Sequence, residues 1–345
     1  MSESLFVLAI ESSCDETSAA VLRNDAVLSN IIATQKVHEK YGGVVPELAS
    51  RAHQQHIVPV VQQALAEAGV KAEALSAVAY TQGPGLMGAL LVGASFAKSM
   101  AMALNIPLIP VHHMRAHIMA HFIRSTPNQD VPEFPFLCLT VSGGHTQLVR
   151  VSSPLDMEVV GETIDDAAGE ALDKAAKVMG LPYPGGPQID KLSQSGDARK
   201  YAFTIPQIGG FNYSFSGLKT NLLYFLRDQQ ATNPEFIQQE LPHICASYQH
   251  VVTEYLLAKL EQAAVHYGIN QIALAGGVSA NSSLRDKLHS LCNRRQWKAF
   301  IPPLGYCTDN AAMIGIAGYY QYLQGHVGGF NDVPRASWKL DGSMQ

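Results

Sequence analysis

The chain has no CxxC pair, no surplus of basic residues and no long apolar run at its start, and each absence narrows what it can be. Its five cysteines, Cys14, Cys138, Cys245, Cys292 and Cys307, are odd in number and sit mostly in apolar stretches. That usage fits reduced thiols rather than a disulfide framework. A net charge of −5 and a pI near 6.2 exclude strong autonomous binding to nucleic acid, which needs clustered Lys and Arg to displace counterions. An RNA partner would have to be held by local patches or by other subunits. Met1-Ser2-Glu3-Ser4 carries no basic residue, and the apolar run before Glu11 is too short for a signal sequence or a membrane span. The expectation is a cytoplasmic protein with no membrane partner.

What is present is enough apolar material for two domains: 345 residues, 47% hydrophobic, exceed what one core usually sustains. One pattern also occurs twice. Val7-Leu8-Ala9-Ile10-Glu11-Ser12-Ser13-Cys14-Asp15-Glu16-Thr17-Ser18 and Leu137-Cys138-Leu139-Thr140-Val141-Ser142-Gly143-Gly144-His145-Thr146-Gln147-Leu148 are each an apolar strand, a tight polar turn and a second strand, about one domain length apart. Two such turns, rich in backbone donors, would grip a nucleotide's phosphates from both sides.

Between these hairpins the spacing predicts a helix over 47–69, a strand at Ala77-Val78-Ala79-Tyr80, a glycine turn at 82–88 and a small-residue helix over 89–104. Strand, glycine turn and helix in that order point free N–H groups at an anion, although Gly88 and Gly93 equally suit close helix packing. A short strand at 106–111 and a helix over 112–123 follow, and the loop from Pro127 to Pro135 is read as the domain boundary. The second half predicts helices over 167–179, 215–228, 234–267 and 282–293. Its strand Ile272-Ala273-Leu274-Ala275 runs into Gly276-Gly277-Val278-Ser279-Ala280-Asn281. A last helix over 308–323 opens on the capping types Thr308 and Asp309. The tail beyond Gly325 lacks periodicity, and no order is expected of it.

His113-Met114-Arg115-Ala116-His117 places two imidazoles at i and i+4 on one helical face, a separation from which both reach one ion. The best third candidate is Asp309, giving two histidines and a carboxylate with open positions, a set suited to Fe(2+) or Zn(2+). His53 and His56 are read instead as a solvated helix face, and His112 and His121 as structural. A zincin-type metalloprotease needs Glu directly after the first His. Here that residue is Met114. Asp15 and Glu16 could bind Mg(2+) through water or accept a proton. On the stretch 165–174, Asp166, Glu170 and Asp173 share a face, with Lys174 four residues after Glu170. Asp173 and Asp190 are ribose candidates, and Asn281 is a base or ribose candidate.

Taken in order, residues 10–17, 44–51, 112–117, 141–147, 165–174, 183–186, Tyr213-Ser214-Phe215-Ser216-Gly217-Leu218-Lys219-Thr220, 276–281 and Cys307-Thr308-Asp309-Asn310-Ala311 resemble the tRNA threonylcarbamoyladenosine transferase family, bacterial TsaD branch, formerly called the glycoprotease family. The resemblance implies an α/β, actin and Hsp70-like (ASKHA) fold: two RNase H-like domains around a nucleotide cleft. The domains implied are 1–130 and 131–307, with a final helix at 308–325 crossing back to the first and a tail at 326–345. It implies transfer of threonylcarbamoyl from threonylcarbamoyl-AMP to the exocyclic amine of the adenosine beside the anticodon, in tRNAs reading codons that begin with A. Carried over, His113, His117 and Asp309 become metal ligands. Thr140, Val141, Ser142, Gly143, Gly144, Asp173, Gly186, Asp190 and Asn281 become the nucleotide site, with Mg(2+) accompanying a bound ATP, ADP or AMP. Asp15 or Glu16 is placed as the general base from position alone. The partners implied are tRNA, a sister subunit of the same fold lacking the site (TsaB type) and a small P-loop ATPase (TsaE type). The rival readings are a small-molecule O-carbamoyltransferase and a non-catalytic ATP-binding scaffold.

Overall fold

The unbroken apolar run Val7-Leu8-Ala9-Ile10 is what a strand covered on both faces requires, and it forms the centre of a five-stranded sheet. The computed structural model describes residues 4–124, 126, 129–205 and 208–341. The chain divides into two units, one drawn from residues 1–132, 152–158 and 302–345, the other from 133–151 and 159–301. In the expected boundary loop, Pro127 and Asn128 lie outside the described residues, as do the last four residues of the tail.

The chain begins with β1 (Phe6–Glu11), β2 (Glu16–Arg23), β3 (Ala26–Thr34), α1 (Pro46–Ala68), β4 (Ala77–Gly83), α2 (Met87–Leu104), β5 (Leu108–His112) and α3 (His113–Met119). It continues with β6 (Phe136–Val141), β7 (Thr146–Val151), β8 (Met157–Glu162), α4 (Ala168–Val178), α5 (Gly185–Ser193), α6 (Ser216–Thr232) and α7 (Phe236–Tyr267). β9 (Gln271–Ala275), α8 (Ser282–Arg295), β10 (Lys298–Phe300) and α9 (Ala311–Leu323) complete it. The two sheets have the same strand order, β3-β2-β1-β4-β5 and β8-β7-β6-β9-β10. In each, the first strand pairs antiparallel with the second and parallel with the fourth, and the fourth pairs parallel with the fifth. The repeat read from the two hairpins is thus a repeat of the whole sheet.

Each unit has its own core. In the first, Leu8, Ile10 and Val21 of the sheet pack with Ile57 and Val61 of α1 and Ala94 and Ala97 of α2. In the second, Leu137, Leu139 and Leu148 pack with Leu172, Leu218, Tyr248 and Leu256. α2 is long and apolar enough to cross a membrane by length and composition. Its small residues Ala89, Gly93, Ala94, Ala97 and Ala101 are buried in the first unit.

α9 belongs to the first unit and lies on β1, β2, β4 and β5. Its start differs from the expectation. The helix begins at Ala311, and Asn310 caps it by accepting from Met313 N at 3.1 Å. Ser18 Oγ and Asn30 Oδ1 take the next two free donors, Ala311 N at 2.9 Å and Ala312 N at 3.3 Å. With the cap supplied by Asn310, the Asp309 carboxylate is left for other work.

The tail is ordered by backbone pairing, which has no signature in side-chain periodicity. Gly328 N donates to Leu108 O at 2.8 Å, Arg335 N to Gln82 O at 2.8 Å, and Gly85 N to Ala336 O at 3.2 Å. Further on, Trp338 O lies 3.2 Å from His112 Nε2, and Leu340 O accepts from Arg115 Nη2 at 3.0 Å. The residues flanking the first metal-ligand candidate are therefore tied down by the last part of the chain.

Candidate metal centre and nucleotide-binding turns

α3 exists because β5 ends at His112, whose Nδ1 accepts from Met114 N at 3.1 Å and caps the first turn. Helical spacing then puts His113 and His117 on one face, with ring centroids 4.7 Å apart. The segment before α9 brings in Asp309, whose Oδ1 lies 3.1 Å from His117 Nε2 and 3.5 Å from His113 Nε2. One ligand atom from each of the three residues falls within 4.8 Å of the others. The two histidines are buried and Asp309 is partly exposed. Two imidazole nitrogens and a carboxylate, converging with room on one side, fit a divalent transition ion.

Behind His113 stands a residue the sequence reading passed over. Glu11, the last residue of β1, is completely buried. Its Oε1 accepts from Ser13 N at 2.5 Å; its Oε2 accepts from Thr81 Oγ1 at 2.5 Å and faces His113 Nδ1 at 3.1 Å. Burial opposes ionisation of Glu11, but the His113 charge and hydrogen bond overcome it and hold the carboxyl below its ordinary value. Burial likewise opposes the His113 imidazolium, yet the Glu11 and Asp309 carboxylates raise its pKa well above 6.5. Asp309 is held below its ordinary value, burial being outweighed by His113 and His117. Glu11 lies within the repeated strand and turn pattern, but nothing in that pattern shows that it faces His113.

The first hairpin turn is fixed from α1. His53 is buried, with Nε2 3.0 Å from Cys14 O and Nδ1 2.8 Å from Thr17 Oγ1. The expectation of a solvated face at His53 is therefore wrong: the ring faces the polar turn, which satisfies both nitrogens. Asp15 and Glu16 are half-buried in this turn. Burial, together with the charges of Asp309 and Asp15, pushes the Glu16 carboxyl up to about 9. The turn before α2 is packed against the first hairpin. Leu86 N donates to Ser13 O at 2.7 Å, and Gly88 and Gly93 lie directly against Ser50 Oγ and Ser12 Oγ, so close packing accounts for these glycines.

In the second unit the turn after β6 is closed by Ser142 N donating to His145 O at 2.8 Å and by His145 N donating to Ser142 Oγ at 3.1 Å. Gly143 and Gly144 are exposed, and a Cβ on either would meet no atom. Thr140 and Val141 are completely buried in β6, so only their backbone and the turn beyond them are available to a ligand. Asp173 Oδ1 accepts from Gly185 N at 2.8 Å and Gly186 N at 3.0 Å, at the start of α5. Burial raises the Asp173 pKa, and the two N–H groups only partly offset it. Lys174 is paired with Asp166 at 2.7 Å and Glu170 at 2.8 Å.

Asp190 and Asn281 are joined through a residue no motif suggested. Gln249, buried in α7, donates through Nε2 to Asp190 Oδ1 at 3.0 Å and accepts through Oε1 from Asn281 Nδ2 at 3.0 Å. Asn281 also caps α8 through Leu284 N, and Asp190 accepts from Ser282 Oγ at 2.8 Å.

Comparison with known proteins agrees along the chain's length. Residues 26–316 match the family model described as TsaD, tRNA N6-adenosine threonylcarbamoyltransferase. A tRNA N6-adenosine threonylcarbamoyltransferase of Christiangramia forsetii is 57% identical over 334 residues, covering 97% of this chain and 98% of its own. One of Cytophaga hutchinsonii is 56% identical over 343 residues, covering 99% of both. Among solved structures, full-length HypF in its phosphate- and nucleotide-bound form matches with a TM-score of 0.62 at 13% identity, over 94% of this chain and 47% of that one. HypF from T. kodakarensis matches with the same score over 97% and 50%. These distant likenesses concern the fold alone, which is ASKHA, as the repeated sheet order indicates. With the family model and near-full-length relatives in agreement, the chain belongs to the TsaD family and is a tRNA N6-adenosine threonylcarbamoyltransferase.

Proposed function

We propose that the acyl donor is threonylcarbamoyl-AMP and the acceptor the N6 amine of the adenosine 3′ of the anticodon in tRNAs reading codons that begin with A. The amine attacks the carbamoyl carbonyl carbon, the bond from that carbon to the phosphate oxygen breaks, AMP leaves, and the amine gives up one proton. The convergence of His113, His117 and Asp309 is the observation that carries this reading. Held by these three residues, a divalent ion, Fe(2+) or Zn(2+), supplies Lewis-acid polarisation or a template for substrate oxygens.

The remaining roles fall to the chain's own groups. The exposed turn Ser142-Gly143-Gly144 offers backbone donors to phosphate. Asp173, with one oxygen engaged by Gly185 and Gly186, has the other for a ribose hydroxyl. Asp190 and Asn281, locked together by Gln249, shape the nucleoside end. Of the two acidic residues in the first turn, Glu16 has the carboxyl pushed up to about 9. An ion held by Asp309 would offset that residue's charge and lower the Glu16 pKa, the direction that a base for the amine's proton requires. tRNA arrives with help from a sister subunit of TsaB type and a P-loop ATPase of TsaE type, in the cytoplasm. At the basic end of α8, Arg295 is paired with Glu261 at 2.6 Å, which favours the partners as the main RNA contact.

Single-turnover transfer from preformed threonylcarbamoyl-AMP, followed by AMP release and nucleoside mass spectrometry, tests the base. Alanine at both Asp15 and Glu16 is expected to slow transfer about 10²-fold or more; unchanged transfer removes both from that role.

A further inference from the structure

Glu11 makes three hydrogen-bonding contacts, and each neighbour can give it a proton. Ser13 N and Thr81 Oγ1 donate at 2.5 Å each, and His113 Nδ1 is 3.1 Å away. A carboxylate accepts only, so the contact with Glu11 favours a hydrogen on His113 Nδ1, which also lies 3.2 Å from Ser13 Oγ, and leaves Nε2 facing Asp309 Oδ1, 3.5 Å away. His117 has no such support: its Nδ1 is buried and finds no hydrogen-bond partner among the described residues. A completely buried carboxylate is costly to a fold unless it is paired, and the polar partners here lead to one metal-ligand candidate and not the other.

We propose that Glu11 is a positioning residue for the metal centre, setting the tautomer and donor strength of His113 so that Nε2 of His113, rather than of His117, is the preorganised ligand. This rests on the reading of His113, His117 and Asp309 as a metal site. Carboxylates behind ligating histidines elsewhere change metal affinity 10–100-fold when removed. Glu11→Gln keeps the volume but, whichever way the amide lies, sets an N–H against at least one of the three donors.

The test is competition for Zn(2+) between the full chain and a chromophoric chelator, for wild type, Glu11→Gln, Thr81→Val and His117→Ala. Wild type is expected to bind one equivalent, His117→Ala to lose it, and Glu11→Gln to bind about 10–100-fold more weakly. Thr81→Val, which removes one donor from Glu11 without touching His113, is expected to weaken binding less. Glu11→Gln binding within twofold of wild type overturns the inference and leaves the metal site standing. Failure of wild type to bind at all overturns the metal site and the inference with it. Should Glu11→Gln not fold, nitrogen-15 NMR of His113 in the zinc-loaded wild type decides the matter. A protonated Nδ1 with Nε2 on the metal is expected, and an unprotonated Nδ1 overturns the role assigned to Glu11.

Discussion

Asp309 Oδ1 lies 3.1 Å from His117 Nε2 across 192 residues of sequence, and what brings them together is the way α9 starts. Asn310 caps the helix, and Ser18 and Asn30 accept from its first donors, so the residue just before the cap is held beside α3. Ser18→Ala removes an acceptor from a buried helix N-terminus and is expected to cost about 1–2 kcal/mol. It should also weaken Zn(2+) binding measurably, because Asp309 loses its anchor. Denaturant melts and chelator competition on the same variant check both parts.

Metal binding has to displace a proton from His113. Burial lowers the pKa of that imidazole, but Glu11 and Asp309 raise it well above 6.5. Apparent Zn(2+) affinity should therefore go on rising with pH beyond 6.5, with net proton release on binding. In the metal-free protein the sign is opposite. His113 contributes stability that is fully present below about 6.5 and is lost as pH rises through its raised value. Asp309, held below 3.8, contributes stability above that value and loses it as pH falls. Calorimetric zinc titrations and melts between about pH 6 and pH 9 check the first two trends.

Two glycines separate folding from ligand binding. At Gly85 a Cβ would lie 2.5 Å from the backbone oxygen of Ser13, with no flexible group to yield. Gly85→Ala is expected to cost about 1–3 kcal/mol and to displace the first hairpin turn. At Gly143 a Cβ meets nothing, so Gly143→Ala should stay within about 0.5 kcal/mol of wild type while weakening AMP binding. Thermal melts with and without AMP distinguish the two.

Asp165 closes α6 from outside. It accepts from Phe215 N at 2.7 Å, from Ser214 Oγ at 2.5 Å and from Ser216 Oγ at 2.8 Å. Burial is the largest single influence and raises its pKa, but the hydrogen bonds together outweigh it and hold the carboxyl below its ordinary value. Its contribution is present above about 3.9 and is lost as pH falls through the lowered value. Asp165→Ala should cost about 1 kcal/mol at neutral pH, and the gap to wild type should shrink in acid melts.

Much of this was legible in the sequence, and the residues show why. The two hairpins are local and repeat, so the duplicated sheet could be read from strand pattern and turn composition. His113 and His117 are a helical i, i+4 pair, legible at short range. Asp309 was reachable through its place at the start of the last helix and through the family resemblance, and even there the cap proved to be Asn310. Glu11 and Gln249 were not legible, because each does its work through long-range contacts that leave no periodic or composite signature. His53 was misread for the same reason: spacing assigns it to a helix face but does not say that a polar turn covers that face. The tail was misjudged because its pairing runs through backbone groups of Gly328, Arg335 and Ala336, which any sequence possesses.

The most direct measurement is the modified nucleoside itself. With its partner subunits, threonine, bicarbonate, ATP and the enzyme that makes the donor, wild-type protein should convert unmodified tRNA, and digestion should yield threonylcarbamoyladenosine by mass spectrometry. His117→Ala, folded and lacking bound metal, should yield none above background. Full modification by His117→Ala would contradict a metal-centred transfer. Absence of product from folded wild type with active partners would contradict the proposed donor and acceptor.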